Sequence, residues 1–308
     1  MWNIMDIMRR FGLLFLICML LTLTGCRSRP SPSPDEPTET AVQYLENKGS
    51  DTIVNLALAW AERYQAIYPQ VRISVTGGGS GTGLTALING TVDIANASRQ
   101  MQPEEFSAAR SAGYDPREFI IARDAIAVIV HPSNPVDRLT LQELSLIYRG
   151  EIKNWSELGG EDREIVRLSR ETNSGTHVYF LESVIRMGNS EDGSIFSADT
   201  LLLPSSEGII AEVKDNPNAI GYDSLGYITE DVKLIAVSSL AQPDVYILPS
   251  LETVNDNTYL ISRNLYMYTL EDPVGAVKDY MDWIFSTEAQ QIVQELGFIP
   301  IIDKEGNE

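Results

Sequence analysis

The stretch VTGGGSGTGLTALING, residues 75–90, holds five glycines within positions 77–83 and then sets Leu84, Leu87 and Ile88 at helical spacing. Glycine lets a backbone approach a ligand closely, and the first-turn N–H groups of the helix that follows have no partner inside it. The same local design recurs in KGSDT (48–52) and TNSGT (172–176), and less cleanly in PSSEG (204–208). The intervals are irregular, so this is not a solenoid repeat. It is one arrangement used several times, a strand or polar lead-in, a tight polar cluster and a helix start, and it predicts an α/β chain.

The rest of the pattern agrees with that class. Strand-like runs fall at 71–77, 125–132, 164–170 and 219–228, and helical spacing at 53–64, 84–89, 141–148, 178–187 and 274–296. In the first helix Ile53, Ala57, Trp60 and Tyr64 share one face. With 308 residues, 44% of them hydrophobic, the chain can build one large domain or two lobes.

The N-terminus stands apart. Arg9 and Arg10 precede an apolar run at 11–23, shorter than the roughly 20 residues that a membrane span needs. Residues 1–25 therefore read as a secretory signal peptide. Its end, LTGC, resembles a bacterial lipobox, which makes Cys26 the expected lipidated first residue of the mature chain. Cys18 leaves with the signal, so Cys26 has no disulfide partner. Residues 26–40 carry this Cys and a Pro/Ser-rich tether without large apolar side chains, too polar to bury a core. A net charge of −20 argues against nucleic acid and an anionic membrane surface as partners. It does not exclude a small anion held by local dipoles.

The clusters fail the tests for chemistry. Leu84 stands where a P-loop needs its lysine, so a nucleotide triphosphate lacks its counter-charge. Thr82 takes the place of the glycine required by both the dinucleotide fingerprint and the nucleophile elbow around Ser80. His131 and His177 are the only histidines and neither lies in a ligand-spaced motif, so no metal or cofactor is expected and no enzyme is read. Two readings of the clusters remain: ordinary N-caps, or the converging walls of a cradle for a tetrahedral oxyanion.

The segments KGSDTIVNLALAWAE, VTGGGSGTGLTALINGTVDIANASRQM, IARDAIAVIVHPSNPV, LTLQELSLIYRGEIKNWSELGG, RLSRETNSGTHVYF, NAIGYDSLGY, YLISRNLYMYTL and GFIP run in order along nearly the whole mature chain. In these the chain resembles the phosphate-binding lipoproteins that serve bacterial phosphate ABC importers, members of the periplasmic-binding-protein superfamily. The resemblance implies a two-lobed type II fold, each lobe a mixed sheet flanked by helices, joined by two hinge segments. The lobes would comprise residues 41–122 plus 257–308, and 123–256. It further implies a monomer, lipid-anchored outside the cytoplasmic membrane (periplasmic if the host has an outer membrane), that passes inorganic phosphate to a membrane permease.

Carried over by position, the expected phosphate ligands are Gly49, Ser50, Asp51 and Thr52; Gly79, Ser80, Gly81 and Thr82; Ser98 and Arg99; and Arg170, Ser174, Gly175 and Thr176. Two positions depart from much-studied members, where an aspartate stands at the place of Arg99 and an acid at that of Thr172. Asp51 can take over as acceptor of the phosphate proton, or can serve only as a carboxylate at a helix N-terminus. The departures leave a receptor for sulfate or molybdate as the alternative ligand reading, and a sensory or adhesive lipoprotein as the alternative role.

Overall fold

The computed structural model describes residues 41–301; the signal peptide, Cys26 and the tether lie outside the described residues. The chain opens with β1 (Gln43–Gly49), α1 (Asp51–Ile67), β2 (Val71–Thr76), α2 (Ser80–Ile88), β3 (Ile94–Ala97), α3 (Pro103–Ser111) and β4 (Arg117–Val130). It continues with β5 (Arg138–Thr140), α4 (Leu141–Tyr148), β6 (Val166–Arg170), α5 (Gly175–Phe180), β7 (Leu201–Leu203), α6 (Ser206–Asp215) and β8 (Ala219–Ser224). Then follow β9 (Lys233–Leu234), β10 (Ala236–Ser238), β11 (Tyr246–Ile247), α7 (Leu251–Asn255), β12 (Ser262–Thr269), α8 (Gly275–Ile284) and α9 (Thr287–Glu295).

The main sheet runs β2-β1-β3-β12-β4-β8-β6-β7, with β9 also on β4. β4 divides it into the two halves of a mixed α/β fold. Its residues from Arg117 to Ala125 pair antiparallel with β12, and those from Ile126 to Val130 pair with β8. One lobe holds β1, β2, β3 and β12, with β1 parallel to both β2 and β3. The other holds β8, β6 and β7, the last two parallel, beside a small sheet of β11, β10 and β5.

Each half buries its own apolar cluster. In the first, Ile53, Leu56, Ala57 and Trp60 of α1 pack on Val71, Ile94, Leu265 and Met267 of the sheet. Trp60 is fully buried and its Nε1–H donates to Ala289 O at 2.8 Å, which ties α9 onto α1. Each such large side chain contributes about 1.5–3 kcal/mol by burial. The second half centres on Leu144, Tyr148, Phe180, Val184 and Tyr222, with the Phe180 and Tyr222 rings stacked at 3.6 Å.

Several elements differ from the sequence pattern. The single helix expected over 274–296 is two, because Ser286 takes the N-cap of α9 and accepts the Ala289 N–H through Oγ. The helix expected over 178–187 starts earlier, at Gly175, and widens into π-type turns over Leu181–Ile185. β1 and β12 were not legible as strands, since ENKG and SRN carry polar residues into a sheet interior.

Candidate functional site

The three clusters sit where parallel strands end and helices begin: β1 into α1, β2 into α2, and β6 into α5. In open α/β sheets that edge is where ligands bind. The clusters also meet. A Cβ added to Gly175 would stand 2.4 Å from Ser80 Oγ and 2.5 Å from Ser98 Oγ, so only glycine lets α5 approach α2 and β3 so closely. Gly79 has φ +91°, and a Cβ there would strike Asn173 O at 2.9 Å. Across the junction the Gly81 N–H donates to Asn173 O, while Asn173 Nδ2 donates to Gly78 O at 2.9 Å.

The N-cap alternative fails for two of the three helices. Neither Ser50 before α1 nor Gly79 before α2 makes a side-chain cap bond, whereas Ser174 Oγ accepts the Thr176 N–H at 3.2 Å. The hydroxyls instead pair across the junction. Thr52 Oγ1 and Thr176 Oγ1 are 3.0 Å apart, and Ser80 Oγ lies 3.3 Å from Ser98 Oγ while accepting the Ser98 N–H at 3.0 Å. A hydroxyl has one hydrogen to give. Each pair uses one hydrogen internally and leaves the other without an acceptor in this network, and the Ser174 hydroxyl hydrogen is likewise uncommitted. Three hydroxyl hydrogens at the buried junction are therefore free to meet a further acceptor.

The expected cations are placed less directly. Arg170 is 1% exposed and its donors are engaged: Nη2 gives to Asp51 Oδ2 and Pro204 O, both at 2.8 Å, and Nη1 to Ser206 Oγ at 2.9 Å. Asp223 Oδ2 lies 3.6 Å from Nη1, and burial pushes the Asp223 carboxyl above its usual range against the pull of Arg170. Arg170 at the end of β6 thus meets Asp51 at the start of α1, whose Oδ1 also accepts the Gly78 N–H at 2.8 Å. Arg99 lies beside the first turn of α2 but forms a two-point pair with Glu105 at 2.7 and 2.8 Å. His177 is buried by stacking on Phe196, its Nδ1 3.0 Å from Ser169 Oγ, and burial lowers its pKa. Among the described residues no group of acids, histidines or cysteines could hold a metal ion.

Sequence reasoning missed five members of this network. Asn173 clamps the glycine loop, and Ser206 with Asp223 holds Arg170, so the fourth cluster, PSSEG, also joins the site. Arg263 gives Nη2 to Thr176 Oγ1 at 3.0 Å and to Thr52 Oγ1 at 3.3 Å, and pairs with Asp124. Arg263 and Asp124 lie in segments that carried the family resemblance. Nothing in their spacing announces that they meet; the pairing of β12 with β4 sets them opposite each other.

Comparison with known proteins follows the same line. A family model for the PBP superfamily domain matches residues 34–288. The phosphate-binding protein PstS of Pseudomonas aeruginosa is 31% identical over 276 residues, covering 83% of this chain and 83% of that protein. The Bacillus subtilis protein of that name is 32% identical over 269 residues, 86% of this chain and 83% of its own. Among solved structures, a Clostridium perfringens phosphate ABC transporter substrate-binding protein with bound phosphate is 32% identical, with a TM-score of 0.75 over 84% of this chain and all of that one.

Proposed function

The chain belongs to the PBP superfamily and, within it, to the PstS-type phosphate-binding proteins, and from that premise we propose that it captures inorganic phosphate between its lobes and delivers it to an ABC-type phosphate permease. The uncommitted hydroxyl hydrogens where α1, α2 and α5 meet carry the reading. Such a site is completed by a ligand rich in acceptors and compact enough to touch three helix starts at once. Gly49, Ser50 and Thr52, Gly79 to Thr82, Ser98, and Ser174 to Thr176 form its walls. Arg99 and Arg170 add positive field from behind their carboxylate partners.

Asp51 is the acceptor of the phosphate proton in this scheme. Its oxygens accept from Gly78 and Arg170, and each keeps a second lone pair. Hydrogen phosphate can give its one O–H to that carboxylate. Sulfate has no hydrogen to give and would meet it acceptor to acceptor.

The lobe assignment is residues 41–122 plus 257–308, and 123–256, supported by the change of partner along β4 and by the separate apolar clusters. Hinge closure then brings Asn173 and Arg170 onto the first lobe. The protein holds its ligand without transforming it, as a monomer outside the cytoplasmic membrane, anchored through lipidated Cys26. No described helix is long and apolar enough to cross a membrane.

Thermal melting with phosphate, arsenate, sulfate and molybdate tests the ligand. Phosphate at a hundredfold excess over its Kd adds about 2.7 kcal/mol and raises Tm by roughly 5–10 °C. Stabilisation by sulfate or molybdate with none by phosphate would overturn the assignment.

A further inference from the structure

Arg263 is 7% exposed and stands on β12 directly opposite Asp124 of β4. Its Nε and Nη2 reach Asp124 Oδ2 at 3.2 and 3.0 Å, and Asp124 Oδ1 is held in turn by Ser224 Oγ at 2.7 Å. The Tyr179 ring covers the guanidinium, 5.6 Å from its carbon to the ring centre. The cation is thus fixed between the two crossing strands. From there Nη2 reaches Thr52 Oγ1 of one lobe and Thr176 Oγ1 of the other.

We propose that Arg263 is a positioning residue that sets the donor polarity of the cleft, turning the Thr52–Thr176 hydroxyl pair so that one hydrogen is presented to the bound oxyanion. The proposal rests on the anion-binding reading of the site. A guanidinium has five N–H donors, no acceptor, and does not deprotonate. Nη2 has two N–H groups and faces three oxygens, so one serves Asp124 and the other is shared by the two threonine oxygens, which can never return a hydrogen to it. One of the two hydroxyl hydrogens is spent between the threonines, at 3.0 Å. The other can only point toward a new acceptor. An amide at position 263 would not enforce this, because its carbonyl could accept that hydrogen and quench the pair. Arg263 Nη1 is itself buried without an acceptor, a further uncommitted donor beside the threonine pair.

The test is a double-mutant cycle read by titration calorimetry with inorganic phosphate: wild type, Arg263→Gln, Thr176→Val and the double variant. Each single change is expected to weaken phosphate binding by about tenfold or more, and the double variant to be little weaker than the worse single one. Losses that multiply in the double variant, or wild-type affinity in Arg263→Gln, overturn the proposal. If Arg263→Gln does not fold, Arg263→Lys is measured instead. A lysine ammonium has three N–H donors and no acceptor, enough for the three oxygens that Nη2 reaches, so affinity close to wild type is expected there and a tenfold loss overturns the proposal. Wild-type protein that melts higher with molybdate or sulfate but not phosphate would refute the phosphate assignment alone, and the cycle is then run with that anion to the same criteria.

Discussion

Arg170 with Asp51 and Arg263 with Asp124 are both buried ion pairs, at 2.8 and 3.0 Å, yet they join different things. Arg263 and Asp124 sit opposite each other on adjacent strands, so their contact is fixed by sheet register and persists however the lobes move. Both side chains are almost fully buried, and desolvation pushes the Asp124 carboxyl up while Arg263 pulls it down. Arg170 lies on β6 and Asp51 at the start of α1, on opposite sides of the cleft, and Asp51 keeps 19% of its side chain exposed. Opening of the proposed cleft would separate that pair. The same chemistry therefore serves the fold in one place and closure in the other.

The largest effect should come from breaking the hinge pair. Asp124→Ala leaves the Arg263 cation buried without its carboxylate, and a loss of about 3–5 kcal/mol in unfolding free energy is expected. Urea unfolding without ligand measures it. Asp124→Asn keeps the shape and one acceptor and should lose less. A loss below about 1 kcal/mol for Asp124→Ala would mean that the hinge is hydrated and that the contrast with the cleft pair is false.

The cleft pair should behave in the opposite way. Asp51→Asn keeps an oxygen for the Gly78 N–H but gives up the charge facing Arg170 and the acceptor for a phosphate proton. Phosphate affinity is expected to fall by about 1.5–3 kcal/mol, the range for hydrogen bonds to charged groups, with sulfate gaining relative to phosphate. Titration calorimetry with both anions reads this directly. Unfolding of the ligand-free protein should change much less than in Asp124→Ala. An unchanged phosphate-to-sulfate ratio would remove Asp51 from proton recognition and leave it a closure contact only.

How the two pairs arise also marks what the amino-acid sequence could disclose. Local signals were sufficient for the clusters: glycine at 79 and 175, hydroxyls at 80 and 176, and apolar spacing after each announce helix starts that approach something closely. α1 is legible because Ile53, Trp60 and Tyr64 repeat at helical intervals, and all three are buried. Arg170 was visible through its distance from SGT, but its partner was not, since 119 positions separate it from Asp51. Arg263 and Asp124 are 139 positions apart and meet only because β12 pairs with β4. β12 itself was hidden, because a strand carrying Arg263 and Asn264 at its start lacks the apolar alternation that marks a half-buried strand. Contacts made by pairing register leave no periodic trace in a single chain.

Asn173 offers the finest test of the division between fold and closure. Its Nδ2 donates to Gly78 O at 2.9 Å and to Thr82 Oγ1 at 3.3 Å, and both bonds are exposed to solvent. Water replaces exposed donors readily, so Asn173→Ala should cost only about 0.5–1.5 kcal/mol. The whole of that cost should fall on the closed state. The expected result is a few-fold loss of phosphate affinity, carried mainly by faster release, with unfolding of the ligand-free protein left within about 0.5 kcal/mol of wild type. Stopped-flow release and urea unfolding separate the two. If Asn173→Ala lowered unfolding stability as much as it lowered affinity, the glycine-loop contact would be part of the resting fold. Arg170 and Asp51 would then close a cleft already held shut from its rim.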